Sequence, residues 1–356
     1  MSISGAAGPA VRRPLWRMAL AYGLAGLAGW AFSRLHMPLP WMIGPLLAMA
    51  GLSMSGIIDR PLPVRTRPFG QAVVATTVGL AFTDQALAVV LGMLPLLVAL
   101  AAITTVFALA VSVIQARLAG VPLSRMVLAT FPVAPVEASI IAESRGLPVA
   151  PVIVAQSLRI AAIVVLVPML LYTIDGFSRP DGTGAAAGAA FDDPLLMALP
   201  LIGLAGGLLF RRLGWANPWF LGPLSLAATL TAAGAGLPHY PPIILAGAQL
   251  ILGAWLGSTF QARLLHAARR ELAVSMLGTL GLLVLTCGSA AALAPFTTLD
   301  WRLLVLGIAP GGVTEMALTA QVLHQNVSVV TAAHVVRIFL LMPLARPLLR
   351  WIQRFD

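Results

Sequence analysis

The sequence predicts an all-α polytopic membrane protein made of two homologous repeats of about five or six helices each. Three observations predict it. First, 59% of the 356 residues are hydrophobic and 10% are charged, whereas soluble domains carry roughly 25% charged residues. Second, apolar runs near ~20 residues recur from end to end, as helical spanning of a bilayer requires. Third, displaced by 178 residues, half of 356, the chain falls on itself without a gap. Gly29, Arg34, Pro40, Trp41, Gly44 and Pro45 meet Gly207, Arg212, Pro218, Trp219, Gly222 and Pro223. The same offset pairs Gln71 with Gln249, Gly79 with Gly257, Pro132 with Pro310, Glu137 with Glu315 and Arg159 with Arg337. Identities that fall on Pro, Trp, Gly, Glu and Arg, rather than on interchangeable Leu and Ala, mark a true duplication. The repeats divide as 1–178 and 179–356. They are joined near 175–194 by "DGFSRPDGTGAAAGAAFDDP", whose small, polar and acidic residues read as a flexible linker.

The elements follow in order. The first apolar segment, 15–34, trails the basic "VRRPLW" and could pass for a secretory leader. Its counterpart at 194–213 marks it as structural instead. The second, 39–57, opens on "LPWMIGPL", and its counterpart, 217–235, on "NPWFLGPL". Pro40 and Pro218 suit a first helical turn, where the missing N–H costs little. Trp41 and Trp219 suit a membrane interface, and Pro45 and Pro223 with their glycines kink the segment early. The third segments, 67–83 and 241–260, carry Gln71 and Gln249 among small residues three or four apart, which let helices approach closely. Those glutamines read equally as amide donors to a substrate or as interhelical hydrogen bonds. The fourth run 86–116 and 272–294. The fifth, near 123–143 and 301–323, contain "FPVAPVEASIIAESRG" and "APGGVTEMALTAQVLH". Pro132, Pro135, Pro310, Gly311 and Gly312 leave backbone groups there without helical partners. Such backbone is tolerated at membrane depth only where it is buried in protein or lines a cavity. The sixth, 149–174 and 326–349, place Arg159 and Arg337 in apolar helices.

If all twelve segments cross, the halves face the same way. If the fifth of each half is re-entrant, each half crosses five times and the halves are inverted. Cytoplasmic loops collect Lys and Arg, and this chain has Arg alone, with no Lys. Twelve crossings put Arg211, Arg212, Arg263, Arg269 and Arg270 outside. The five-plus-five arrangement leaves only Arg34, Arg179 and Arg302 there and is favoured, with both termini cytoplasmic and broken segments at the centre.

Chemistry is expected at the breaks. Glu137 and Glu315 follow them directly, and a helix beginning after a break presents a positive N-terminus suited to an anion. Intramembrane ionisable residues are functional hypotheses by default, and matching broken segments in two repeats point to a transporter's binding site. The candidate substrate- or ion-binding residues are Glu137, Glu315, Arg159, Arg337, Thr314, Gly311, Gly312, Gln71 and Gln249. The competing reading is structural: Glu137 with Arg159, and Glu315 with Arg337, as buried ion pairs. His334 reads as an interhelical donor. The five histidines are scattered without an HxxxH or HxxE pair, so no metal, cofactor or catalytic residue is expected. The single Cys287 excludes an internal disulfide. "APGGVTE" lacks the Lys-Ser/Thr of a phosphate loop.

The doubled "PW(M/F)(I/L)GPL" with the later "APGGVTEMALTA" resembles the AbrB family of duplicated bacterial membrane proteins, over essentially the whole chain. Within it, the first half departs at "FPVAPVEA", where Pro135 and Val136 replace Val313 and Thr314. Family labels of ammonia monooxygenase or regulator of gene expression imply, respectively, an enzyme and a controller of expression. The residues lack the oxygenase's ligand set, and no stretch outside the apolar runs builds a DNA-binding module, so no direct nucleic-acid contact is expected. The expected function is secondary transport of a small anionic or zwitterionic metabolite, with a membrane regulator or sensor as the alternative. The expected setting is the bacterial inner membrane, with the lipid bilayer and a small-molecule ligand as partners and a homodimer as an open assembly.

Overall fold

The structure, a computed structural model, describes residues 15–58, 60–132, 135–174, 193–215, 217–354 and 356. The expected linker lies outside the described residues as far as 192. Among the described residues the structure is helical. The first half holds α1 (Leu15–Arg34), α2 (Pro40–Met54), α3 (Arg67–Gly79), α4 (Asp84–Gly92), α5 (Leu94–Ala119), α6 (Leu123–Thr130), α7 (Pro135–Ser144) and α8 (Val149–Ile174). The second holds α9 (Ala198–Arg212), α10 (Pro218–Ala232), α11 (Pro242–Gly257), α12 (Ala262–Ala267), α13 (Arg269–Leu293), α14 (Trp301–Ile308), α15 (Val313–Val322) and α16 (Val327–Ile352). Adding 178 to the limits of α2, α6, α7 and α8 gives those of α10, α14, α15 and α16.

Five helical stretches are long and apolar enough to cross a bilayer: Leu94–Ala119, Val149–Ile174, Pro194–Arg212, Arg269–Phe296 and Val327–Ala345. Val64–Gly79 with Asp84–Gly92, bent by 88°, make a sixth if taken as one broken span. The protein is therefore a multi-pass membrane protein, and outward side chains such as Leu277, Val284, Ile114 and Leu201 are exposed to lipid. The expected single run 86–116 is instead two helices. Thr83 starts α4 by accepting the Ala86 N–H. At Met93 the chain closes that helix on the Val89 and Val90 carbonyls, and α5 begins with proline in its first turn.

Packing gathers the helices into two bundles, each drawn from both halves. In one, α2 lies against α1 and α11, α10 against α9 and α3, and α3 against α9 and α11. In the other, α13 lies against α5 and α8, α16 against α5 and α15, and the short α6, α7 and α14 pack among these long helices. Glycine sets the separation in the first bundle. An added Cβ at Gly222 would run into the Gly206 carbonyl, and one at Gly44 would stand 2.7 Å from the carbonyl oxygen of Ala28. The helix pairs α9–α10 and α1–α2 are thus closer than any side chain permits. Trp41 and Trp219 lie over Gly29 and Gly207 of the same pairs. Proline opens α2 and α10 as expected, each following a residue in the left-handed region, Leu39 and Asn217.

Candidate functional site

Both fifth segments are broken, in α6–α7 and α14–α15. Each break ends one short helix and starts another, so the last carbonyls of α6 and α14 lack intrahelical partners. Lipid supplies none. The long helices α8 and α16 supply them instead, in repeat-matched fashion. In α8, Gln156 Nε2 donates to the Leu128 carbonyl at 2.6 Å. Arg159 Nη1 donates to the carbonyls of Thr130 and, at 3.0 Å, Phe131. In α16, His334 Nε2 meets the Leu306 carbonyl at 2.9 Å. Arg337 Nη1 donates to Ala309 at 2.8 Å and Nη2 to Gly311 at 2.9 Å. Thr104 of α5 adds a bond to the Ile308 carbonyl at 3.0 Å. Since His334 Nδ1 accepts from Arg337 Nη2 at 2.7 Å, its proton belongs on Nε2, directed at Leu306. This is the interhelical donor expected from sequence.

This arrangement stands in place of the buried ion pairs of the competing structural reading. Both arginines are almost wholly buried, yet the hydrogen bonds they donate go to backbone oxygen and, from Arg337, to His334. Among the described residues, no salt bridge joins Arg159 to Glu137 or Arg337 to Glu315. Cations at helix C-termini are favourable, and a planar fork suits two neighbouring carbonyls better than an ammonium does.

A cavity of about 110 Å³ lies between the two bundles. From one bundle come Arg67 and Gln71 of α3, Asn217 at the start of α10, and Leu252, Trp255 and Leu256 of α11. From the other come Pro132, Glu137, Arg159, Arg337 and the run Gly311–Glu315. Eight of the nine candidates thus line one space. The exception is Gln249, which is buried in α11 away from the cavity lining. Gln71 donates to Asn217 Oδ1 at 3.3 Å, across the α3–α10 contact.

The cavity faces the beginnings of α7 and α15, with Glu137 and Glu315 in their first turns. Glu315 folds back over its own helix start, and a Cβ placed on Gly312 would fall on its Oε2. Glycine at 312 is what lets the carboxylate lie there.

Sequence reading missed Arg67, Asn217 and Trp255. The Arg67 guanidinium lies over the Trp255 ring at 4.4 Å from its centroid, within the electrostatic reach of Glu315. A signal was available: at 178 residues on, Arg67 corresponds to Leu245, and Asn217 corresponds to Leu39.

The family model described as "Transition state regulatory protein AbrB" matches residues 2–173 and 60–353. The chain is similar to "Putative regulator AbrB" of Escherichia coli (strain K12), 22% identical over 96% of this chain and 98% of that protein. It is also similar to "Uncharacterized protein YhjN" of Bacillus subtilis (strain 168), 27% identical over 59% of this chain and 58% of that protein. The second alignment therefore spans less than two thirds of its relative.

Proposed function

The chain belongs to the AbrB family, and from that premise we propose that it is a secondary transporter of a small anionic or zwitterionic metabolite in the bacterial inner membrane. The observation that carries this reading is the charged cavity between two bundles, beneath two helix breaks. Substrate would lie between the starts of α7 and α15. Glu137 and Glu315 would carry or balance a proton. Arg159 and Arg337 would hold the broken backbone in the shape that forms the site, and rocking of one bundle against the other would alternate access. No bound metal or enzymatic step enters this proposal.

The same reading takes residues 1–178 and 179–356 as inverted repeats of five crossings, with both termini cytoplasmic. Three contacts support it. The Ser124 N–H, where α6 enters, donates to Asp356 at 3.1 Å. Arg145, just after α7, donates to Gln353 at 3.4 Å. Both outer ends of the α6–α7 hairpin thus lie beside the same chain end, as a re-entrant segment requires. Arg125 pairs with Glu271 at 2.8 Å, which sets the start of α6 and the start of α13 on one face. Twelve uniform crossings would put them on opposite faces. The short α2 and α11 would cross where protein rather than lipid surrounds them.

A sensor reading draws on the printed name of the Escherichia coli relative. A transporter can alter expression indirectly, by moving a metabolite that a regulator senses. Purified protein in liposomes, offered a metabolite mixture with and without a proton gradient, tests the proposal. Accumulation that Glu315→Gln abolishes supports it, and absence of any flux rejects it.

A further inference from the structure

We propose that Arg67 is the anion-binding group of the cavity, and that its ligand is a small monocarboxylate with an apolar body. This rests on reading the cavity as the transport site and narrows the class of cargo. Three arginines line the cavity, and they are not equivalent. Arg337 spends three donor contacts on Ala309, Gly311 and His334. Arg159 Nη1 serves Thr130 and Phe131. The Nε atoms of both are sealed from the cavity space and unpartnered. Arg337 thus serves its own bundle, and Arg159 has one terminal nitrogen, Nη2, left uncommitted among the described residues.

Arg67 belongs to the opposite bundle and is half-buried. It lies over the Trp255 ring, 4.4 Å from its centroid, and its side chain makes no hydrogen bond among the described residues. A guanidinium held by cation–π attraction alone keeps its N–H groups for a carboxylate fork. The repeat offers no second such cation, since position 245 is leucine. Arg67 is therefore the cation of the cavity that the second half does not duplicate.

Beside polar Gln71, Ser157, Asn217 and Thr314, an apolar stretch of the wall selects the rest of the ligand. Leu252, Trp255 and Leu256 face it from one bundle and Ile338, Leu341 and Met342 from the other. A second carboxylate placed there would lose its hydration without a partner. An ammonium group would have to draw on Glu137 alone, since Glu315 is folded over Gly312 at the start of its own helix.

The test uses the purified full-length protein and five probes: hexanoate, benzoate, succinate, leucine and the neutral benzamide. Binding is read by equilibrium dialysis, and folding by unfolding temperature. Hexanoate or benzoate is expected to bind at least about tenfold more tightly than the other three, because a charge-assisted fork and apolar burial act together. Arg67→Gln is expected to weaken that binding at least about tenfold. Arg67→Lys, which keeps charge without the fork, is expected to fall between. Wild-type affinity in either variant overturns the proposal, as does tighter binding of succinate or leucine, or no binding by any probe. Should Arg67→Gln not fold, Arg67→Lys and the wild-type preference decide. Selective binding without flux in liposomes rejects the transporter reading and leaves the ligand class standing. Flux of succinate or leucine in preference to the monocarboxylates does the reverse.

Discussion

At the scale of single residues, two kinds of charge occupy one cavity and separate under mutation. Arg337 completes the backbone of a broken helix, so Arg337→Leu leaves the Ala309 and Gly311 carbonyls buried without donors. We expect a loss on the order of 2–5 kcal/mol, seen as a collapse in monodisperse protein on size exclusion. Glu315→Gln keeps the shape of the side chain and should leave yield unchanged while uptake driven by a proton gradient disappears. Gly312→Ala is a third case. The new Cβ would fall on the Glu315 carboxylate, the end of a flexible side chain that can move aside. The fold should therefore survive, by unfolding temperature, while uptake falls at least about tenfold if about 1.4 kcal/mol of placement is lost. That Glu137, Glu315, Arg159 and Arg337 stand apart was legible in the sequence, because ionisable residues in apolar runs are costly, and all four line one cavity. Their partners were not legible. A charge in a linear sequence suggests an opposite charge, whereas Arg159 meets carbonyls 28 and 29 residues earlier, a contact that only the folded break creates.

Among the elements, the helix breaks and the proline starts of α2 and α10 could be read directly, since proline and glycine act locally. The α4–α5 break escaped, because 86–103 is apolar throughout and only Gly92 and Pro95 mark the interruption. The closeness of helix pairs is testable by contrast. In Gly222→Ala the added methyl meets the Gly206 backbone, which cannot yield, so α9 and α10 must part. We expect about 1–3 kcal/mol of destabilisation, measured as a lower unfolding temperature in detergent. Gly51 also lies in a helix, α2, but its Cβ would meet nothing within 4 Å. Gly51→Ala should be neutral or stabilise by up to about 1 kcal/mol. If both variants behaved alike, close approach would not be what those glycines provide.

The whole molecule is decided by which chain segments share a face. In a Cys287→Ser background, Arg145→Cys with Gln353→Cys should be joined by a bifunctional thiol reagent long enough to replace the two side chains, as should Arg125→Cys with Glu271→Cys. All four introduced thiols should react with a reagent confined to the cytoplasmic side. Labelling of positions 145 and 353 from opposite sides would restore twelve uniform crossings. The doubling was plain from the sequence, but the exchange of helices between bundles was not, because a repeat fixes likeness and says nothing of partnership. That exchange has a consequence for biogenesis. The surface of α2 is covered by α11, which begins about 200 residues later. At about 5–20 residues per second, the first half must wait roughly 10–40 s at the ribosome's exit with its contact faces open to lipid or to an insertion chaperone. The small residues that make the final contact so close offer little for other proteins to grip during that delay. Two separately encoded halves, made together, should therefore still find one another in the membrane.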